Sequence, residues 1–508
     1  MRPVRNGHRQ PGESRRARPR GSAGGKWRAA SLAASLLLTS CMVGPDYRRP
    51  PAPVPASFKE LAGWKPATPS DAADKGVWWS AFDDPLLDGL EQRVDINNQT
   101  VKAAEAAYRN AQALVEQARA GLFPTASFTS SVTRGATGIG SNSPRTIYTL
   151  QGSADWTLDV WGRIRRQVES NVAGAQVNAA DLANARLSAQ ASLATFYFEL
   201  RTEDALQRLL DQTVRNYEAS LRITSNQYAA GVAARSDVIT AETQLESAQS
   251  QAIATGIARA QFEHAIAVLT GVPPAELTIP PGPLAMTTPE IPPMVPARLL
   301  ERRPDIAAAE RVMAAQNAQI GVAVASFYPD ISLSALYGFS GDPLSSLIST
   351  SHRVWTIAAS GNEVLFEGGL RTAEVAAARA NYDQSVANYR ETVLTAFQQV
   401  EDELAALRIL AQQAEVQAKA VASAEQAALI ALNEYRAGTQ AYTTVVTAQN
   451  AALANEETAL TIQRDRLTAS VTLIEALGGG WSDAALPSKA SLQSDNPLVP
   501  AFLESPGR

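Results

Sequence analysis

Cysteine is all but missing from this 508-residue chain, and Cys41 is its only example. No disulfide can therefore form within the chain. Histidine is nearly as scarce: His8, His264 and His352 are the three present, and their separation offers neither a zinc pair nor a histidine-based triad. The glycine triplet at 478–480 follows a helical pattern with no Lys-Ser/Thr behind it, so it is no phosphate loop. These absences leave catalysis and metal binding without support, and the chain is expected not to be an enzyme.

Aromatic residues amount to 6%, against 45% hydrophobic residues overall, with Ala, Gln, Leu, Glu and Val prominent. That mixture favours long helices packed closely through small side chains.

The start of the chain points to export. Residues 1–28 are Arg-rich, 29–39 are apolar, and Leu38-Thr39-Ser40-Cys41 has the small-residue shape of a cleavage site before a cysteine. Residues 1–40 are read as a signal peptide, too short to be a membrane span. Cys41 becomes the acylation site, and the covalent lipid it would carry is the only prosthetic group expected. Several acyl chains on one residue hold a protein stably on a membrane. Met42 stands where an aspartate would favour the inner membrane, so the outer membrane of a Gram-negative bacterium is the expected destination. Residues 1–40 carry nine Lys or Arg against one Glu, so the net charge of −5 falls to −13 without them. So acidic a chain is a poor partner for nucleic acid.

Periodicity divides the rest. Residues 41–77 read as a proline-rich, extended arm without a core. A first unit, 78–280, opens with a helical pattern from Pro85 to Gly121, followed by a hairpin of alternating strands at 125–160. A pattern of helical period then runs unbroken by proline from Gly162 to about Tyr228, long enough at 1.5 Å per residue to span about 100 Å. After a turn at Gly231 a second helix returns to about Leu269. A proline-rich linker at 281–296 leads to a second unit, 297–480, with its own helix opening at Pro304, a hairpin at 330–366 and a helical hairpin turning at Gly438. The tail, 481–508, is expected to be disordered.

The two units are one plan written twice. "NQYAAGVAARSDVITA" at 226–241 returns as "NEYRAGTQAYTTVVTA" at 433–448, with eight of sixteen positions identical. The fold class is mainly α with membrane β, internally duplicated. Two hairpins supply four strands, whereas a membrane barrel needs at least eight, so any barrel is shared between chains. The helices are too polar and too long to cross a bilayer and are expected to project into the periplasm.

The phrases "CMVGPDYRRP", "WWSAFDDPLLDGL", "LFPTASF", "WTLDVWGRIRR", "LLERRPDIAAAE", "FYPDISLSALYGFS" and "ALGGGW" occur in this order over nearly the whole exported chain. Together they resemble the TolC-like outer-membrane efflux factors of the lipoprotein, NodT-type branch. The resemblance implies a homotrimer whose twelve-stranded outer-membrane barrel continues as a periplasmic α-helical barrel. It also implies the role of passive exit duct in a tripartite efflux or secretion system, docked at its tip by a periplasmic adaptor and an inner-membrane transporter. The positions matching the family's tip are Tyr228, Gly231, Val232 and Asp237 in the first copy, and Tyr435, Gly438, Thr439 and Gln440 in the second. At the gate the family's inward-facing aspartates are here Thr444 and Thr447, which leaves a cation-binding ring without its carboxylates. Gln440 replaces a locking arginine, leaving a Tyr435–Asp237 hydrogen bond as the expected closed-state contact.

A purely structural reading stands beside each of these residues: helix caps for the glycines, seam positions for the tyrosines, a first-turn carboxylate for Asp237. Trp156 and Trp161 suit either an interfacial aromatic belt or packing at the helix start. The alternative function is that of a periplasmic lipoprotein adaptor or coiled-coil spacer. An adaptor would carry one helical hairpin rather than two, and a spacer would need no strands.

Overall fold

The computed structural model describes residues 42–60, 77–136, 144–289, 291 and 296–493. The expected signal peptide and Cys41 lie outside them. After a 3-10 turn at Trp78–Phe82, helices α1 (Pro85–Asn97) and α2 (Gln99–Ala120) lead into β1 (Thr125–Gly135) and β2 (Arg145–Leu158), and the hairpin of α3 (Arg163–Ala229) and α4 (Arg235–Leu269) follows. The second unit repeats the order: α5 (Pro296–Arg302), α6 (Pro304–Ala325), β3 (Asp330–Gly341), β4 (Arg353–Asn362), α7 (Leu370–Arg436) and α8 (Tyr442–Ala476). Outgoing helices α3 and α7 are each 67 residues long and returning helices α4 and α8 each 35.

Four expectations are corrected. The first helix is not continuous to Gly121, because Asn98 leaves the helical region (φ −59°, ψ 125°). Its side-chain oxygen caps α2 by accepting from the Thr100 and Val101 amides, and its Nδ2 donates to the Leu269 carbonyl. β4 stops at Asn362 rather than 366, because its partner β3 begins at Asp330, directly opposite. Leu365 and Phe366 beyond it stand 94% and 88% exposed. Over its described residues 42–60 the arm is extended but not coreless: Phe58 is buried against Phe397, with ring centroids 6.3 Å apart. The tail is packed over 481–493, where Leu492 is buried with Val115, Val168 and Val172, and its residues 494–508 lie outside the described residues.

The chain forms a strip of wall one element thick. Strand order is β1-β2-β3-β4, antiparallel throughout. Each strand joins a helix, and the helices below keep the same order, with α2 on α3, α3 on α6, and α6 on α7. Farther down, α3 packs against α4 and α8, and α8 against α7.

The main core forms a collar at mid-height, where α1, the segment around 277–291 and the arm cover the long helices. Tyr197, Phe198, Leu200, Val393 and Val400 meet Trp79, Leu87, Ile279 and Leu284 there. A buried ion network fastens the collar. Asp204 accepts from Arg201 Nη1 at 3.0 Å, Arg259 Nε at 2.8 Å and the Gly282 amide at 2.9 Å. With its carboxylate oxygens shared among these donors, the buried charge is compensated.

Candidate functional site

The sheet is amphipathic across its whole width. Register places Phe128 opposite Gly152, Gly152 opposite Tyr337 and Tyr337 opposite Trp355. The same face carries Val132, Leu150, Trp156, Leu158, Ile331, Leu333, Phe339 and Ile357, because the pleat alternates side chains. Serines and threonines predominate on the other face, where Ser127 bonds Ser153 and Ser332 bonds Ser360, both at 2.8 Å. One side thus suits hydrocarbon and the other water, the division a membrane barrel requires. β1 and β4 are the sheet's two edges, and an unpaired edge does not survive in hydrocarbon. Among the described residues, no helix is long and apolar enough to cross a membrane.

The junction below the sheet fixes the arm. Trp161 stacks on Tyr328 at 4.8 Å and donates to the Pro329 carbonyl at 2.9 Å. Of its two expected roles, Trp161 takes packing at the helix start, while Trp156 stays on the apolar face. Met42 occupies the space where a side chain at Gly162 would stand, and the Val43 amide donates to the Trp161 carbonyl at 3.1 Å. Arg166 is fully buried beneath the arm, donating to the Val43 and Gly44 carbonyls and to Asp46. Sequence reading missed it, since an arginine in "GRIRR" gives no sign of which one the arm covers.

At the far end the two tips are built alike. Gly231 and Gly438 take left-handed φ values of 73° and 75°, so the amides of Val232 and Thr439 reach the Gln227 and Glu434 carbonyls at 2.9 and 3.0 Å. Val232, Thr439 and Gln440 are exposed, as a docking surface would require. The tyrosines diverge: Tyr435 is 5% exposed and Tyr228 46%. Tyr435 packs on Tyr442 at 5.1 Å, within a cluster that includes Ala241, Ala431 and Val445.

The expected Tyr435–Asp237 hydrogen bond is not formed. The Tyr435 hydroxyl turns toward Thr224 instead; burial raises its pKa, the Thr224 hydroxyl offsets part of the rise, and the Asp237 carboxylate adds to it. Asp237 instead sits in the first turn of α4, near the Ser236 hydroxyl. Thr444 and Thr447 are exposed and bond within α8 and its cap, to Gln440 and to the Thr443 carbonyl. Among the described residues, no group of carboxylates, histidines or cysteines is placed to hold a metal ion.

Comparison with known proteins follows the same division. The antibiotic efflux pump outer membrane protein ArpC of Pseudomonas putida is 32% identical over 460 residues, covering 88% of this chain and 94% of that protein. The toluene efflux pump outer membrane protein TtgC of Pseudomonas putida is 31% identical over the same shares. The solved structure of the outer-membrane channel OprN superposes with a TM-score of 0.81 at 30% identity, covering 87% of this chain and all of that one. The model of the family described as outer membrane efflux protein matches residues 90–272 and again 295–479. One match falls on each unit of the internal repeat, and the chain belongs to the outer membrane efflux protein family.

Proposed function

We propose that three copies of the chain close into one duct, with twelve strands in the outer membrane and a helical barrel beneath them. The chain is the outer-membrane channel of an efflux system, a passive conduit whose cargo is chosen elsewhere. One observation carries the trimer: a single chain is an open strip with an apolar sheet face and two unpaired strand edges. Lower down, apolar stripes lie on the outer helices, Ile239, Ile253 and Ile257 on α4 and Ile409, Val416 and Ile430 on α7. The Gln207–Thr255 contact sets the heights of α3 and α4, and the repeat carries that height to α7. Ile253 then lies level with Val416 and Ile239 level with Ile430, so α4 of one copy fits α7 of the next.

Acylated Cys41 would anchor each copy on the membrane's periplasmic face. Met42, the first described residue after it, is seated at the start of α3 below the sheet. The exposed tips would receive a periplasmic adaptor and, through it, an inner-membrane pump. Oxidation of an Ile253→Cys, Val416→Cys double variant should join chains into dimers and trimers on a denaturing gel. Monomers alone would refute the arrangement. The adaptor or spacer alternative leaves the apolar sheet face without a role. It also requires Cys41→Ser to release the protein into the soluble fraction, whereas a barrel keeps it in the membrane.

A further inference from the structure

The two ends of the sheet treat their arginines differently. At the helix end Arg165 pairs with Asp159 at 3.0 Å, Arg371 with Glu363 at 2.7 Å and Arg163 with Asp330 at 3.8 Å. At the opposite end, where the strand loops lie, Arg134 stands at the close of β1 and Arg353 opens β4. Both are exposed, and among the described residues neither guanidinium has a hydrogen bond or an ion pair. The two strand loops, 136–144 and 342–352, hold a single carboxylate, Asp342. Positive charge at this end is left without a counter-charge from the chain.

Both arginines belong to the apolar face. The pleat sets Arg134 in line with Phe128 and Val132, and Arg353 in line with Trp355 and Ile357, while across the ladder Arg134 faces Thr146 and Arg353 faces Phe339. On a lipid-facing surface an arginine is tolerated only near the edge of the hydrocarbon, where its long stem lifts the charge to the headgroups. Both stand at that height. Thr125 to Arg134 and Asn362 to Arg353 are nine steps each, about 30 Å along a strand and about 23 Å of height at a tilt of about 40°, against an apolar band roughly 25 Å tall. Asp330 to Phe339 is also nine steps, so the Arg134–Thr146 pair of the first hairpin and the Phe339–Arg353 pair of the second are counterparts in the repeat and share one level.

β1 and β4 are the sheet's edges, so in the trimer Arg353 of one copy comes to the same seam as Arg134 of the next. We propose that this pair binds the phosphate groups of a phosphorylated glycolipid of the outer leaflet, one lipid at each seam, with its acyl chains lying on the apolar face below. A guanidinium matches phosphate with two parallel hydrogen bonds, and the lipid supplies the counter-charge that the loops lack. Arg145, at the same end but opposite Gly135 on the polar face, points away from lipid and takes no part. The paired arginines at the helix end are already neutralised and leave the other leaflet without an equivalent site.

The inference rests on the duct reading, and the test separates the two. Full-length protein in detergent is titrated with lipid A, and the mass of the native particle counts both chains and bound lipid. Wild type should hold up to three lipid A molecules per trimer. Arg134→Gln and Arg353→Gln should each weaken binding about ten-fold, the loss expected for one charge-assisted contact, whereas Arg145→Gln should leave it unchanged. Lipid A stripped of its phosphates should bind wild type no better than intact lipid A binds the double variant. A trimer whose lipid A binding is the same in wild type and the double variant, falls equally in Arg145→Gln, or ignores the phosphates would overturn the site and leave the duct standing. A single-chain particle would remove the duct reading and the site with it.

Discussion

Gly231 and Gly438, one from each copy of the repeat, hold left-handed backbones that differ by only 2°, at φ 73° and 75°. Neither has an atom within 4 Å of where a Cβ would stand, so substitution meets a conformational cost alone. Gly231→Ala and Gly438→Ala should each weaken their tip by about 1–2 kcal/mol. Amide hydrogen exchange at 226–235 and 433–442 should accelerate by similar factors in the two variants. A large difference between them would show that tertiary contacts, rather than the turn, set tip stability.

Glu91 makes the clearest pH prediction. It is fully buried in the α1 stripe of Leu87, Leu90 and Val94, and neither carboxyl oxygen has a hydrogen-bond partner. Burial, then the neighbouring Asp95 and Asp88, push its pKa up to about 9 from 4.5. The folded chain therefore keeps the proton while the unfolded chain releases it above 4.5. Stability associated with this group is complete at low pH and falls as pH rises from 4.5 to 9. Glu91→Gln should stabilise the protein at pH 8 by about 1–3 kcal/mol and hardly at all at pH 4. An equal effect at both values, read from thermal unfolding, would contradict a buried neutral carboxyl.

Asp204 answers two arginines and a backbone amide at once. Its replacement by Ala leaves Arg201 buried without its counter-charge, which should cost about 3–5 kcal/mol. Denaturant unfolding measures the loss, and limited proteolysis should show early cleavage around 277–285, the segment that Asp204 and Arg259 hold.

The two faces of the sheet should respond oppositely to charge. Phe128→Lys puts an ammonium on the apolar face and should cost up to about 2–4 kcal/mol in a bilayer. Ser131→Lys, on the polar face of the same strand, should assemble nearly as well as wild type. Reversal of this order would place lipid on the wrong side of the sheet.

Much of the architecture is legible in the residues. Period changes at Thr125, Gly162, Asp330 and Gly369 mark where strands meet helices, and the repeated phrase marks both tips. Features that depend on distant partners are not. "DINNQT" has the letters of a helix cap, but only the Leu269 carbonyl explains why Asn98 breaks the helix there. Nothing in a proline-rich arm shows that Phe58 reaches Phe397. The asymmetry of Tyr228 and Tyr435 is equally hidden, because identical turns are packed against unlike surroundings.

The most direct test of the shared duct is the mass and outline of the full-length protein extracted in detergent, by native mass measurement and negative-stain electron microscopy. The expected particle contains three chains, with a short barrel above a helical tube of about 100 Å, the length of a 67-residue helix. A single-chain particle, or a compact one without a tube, would contradict it.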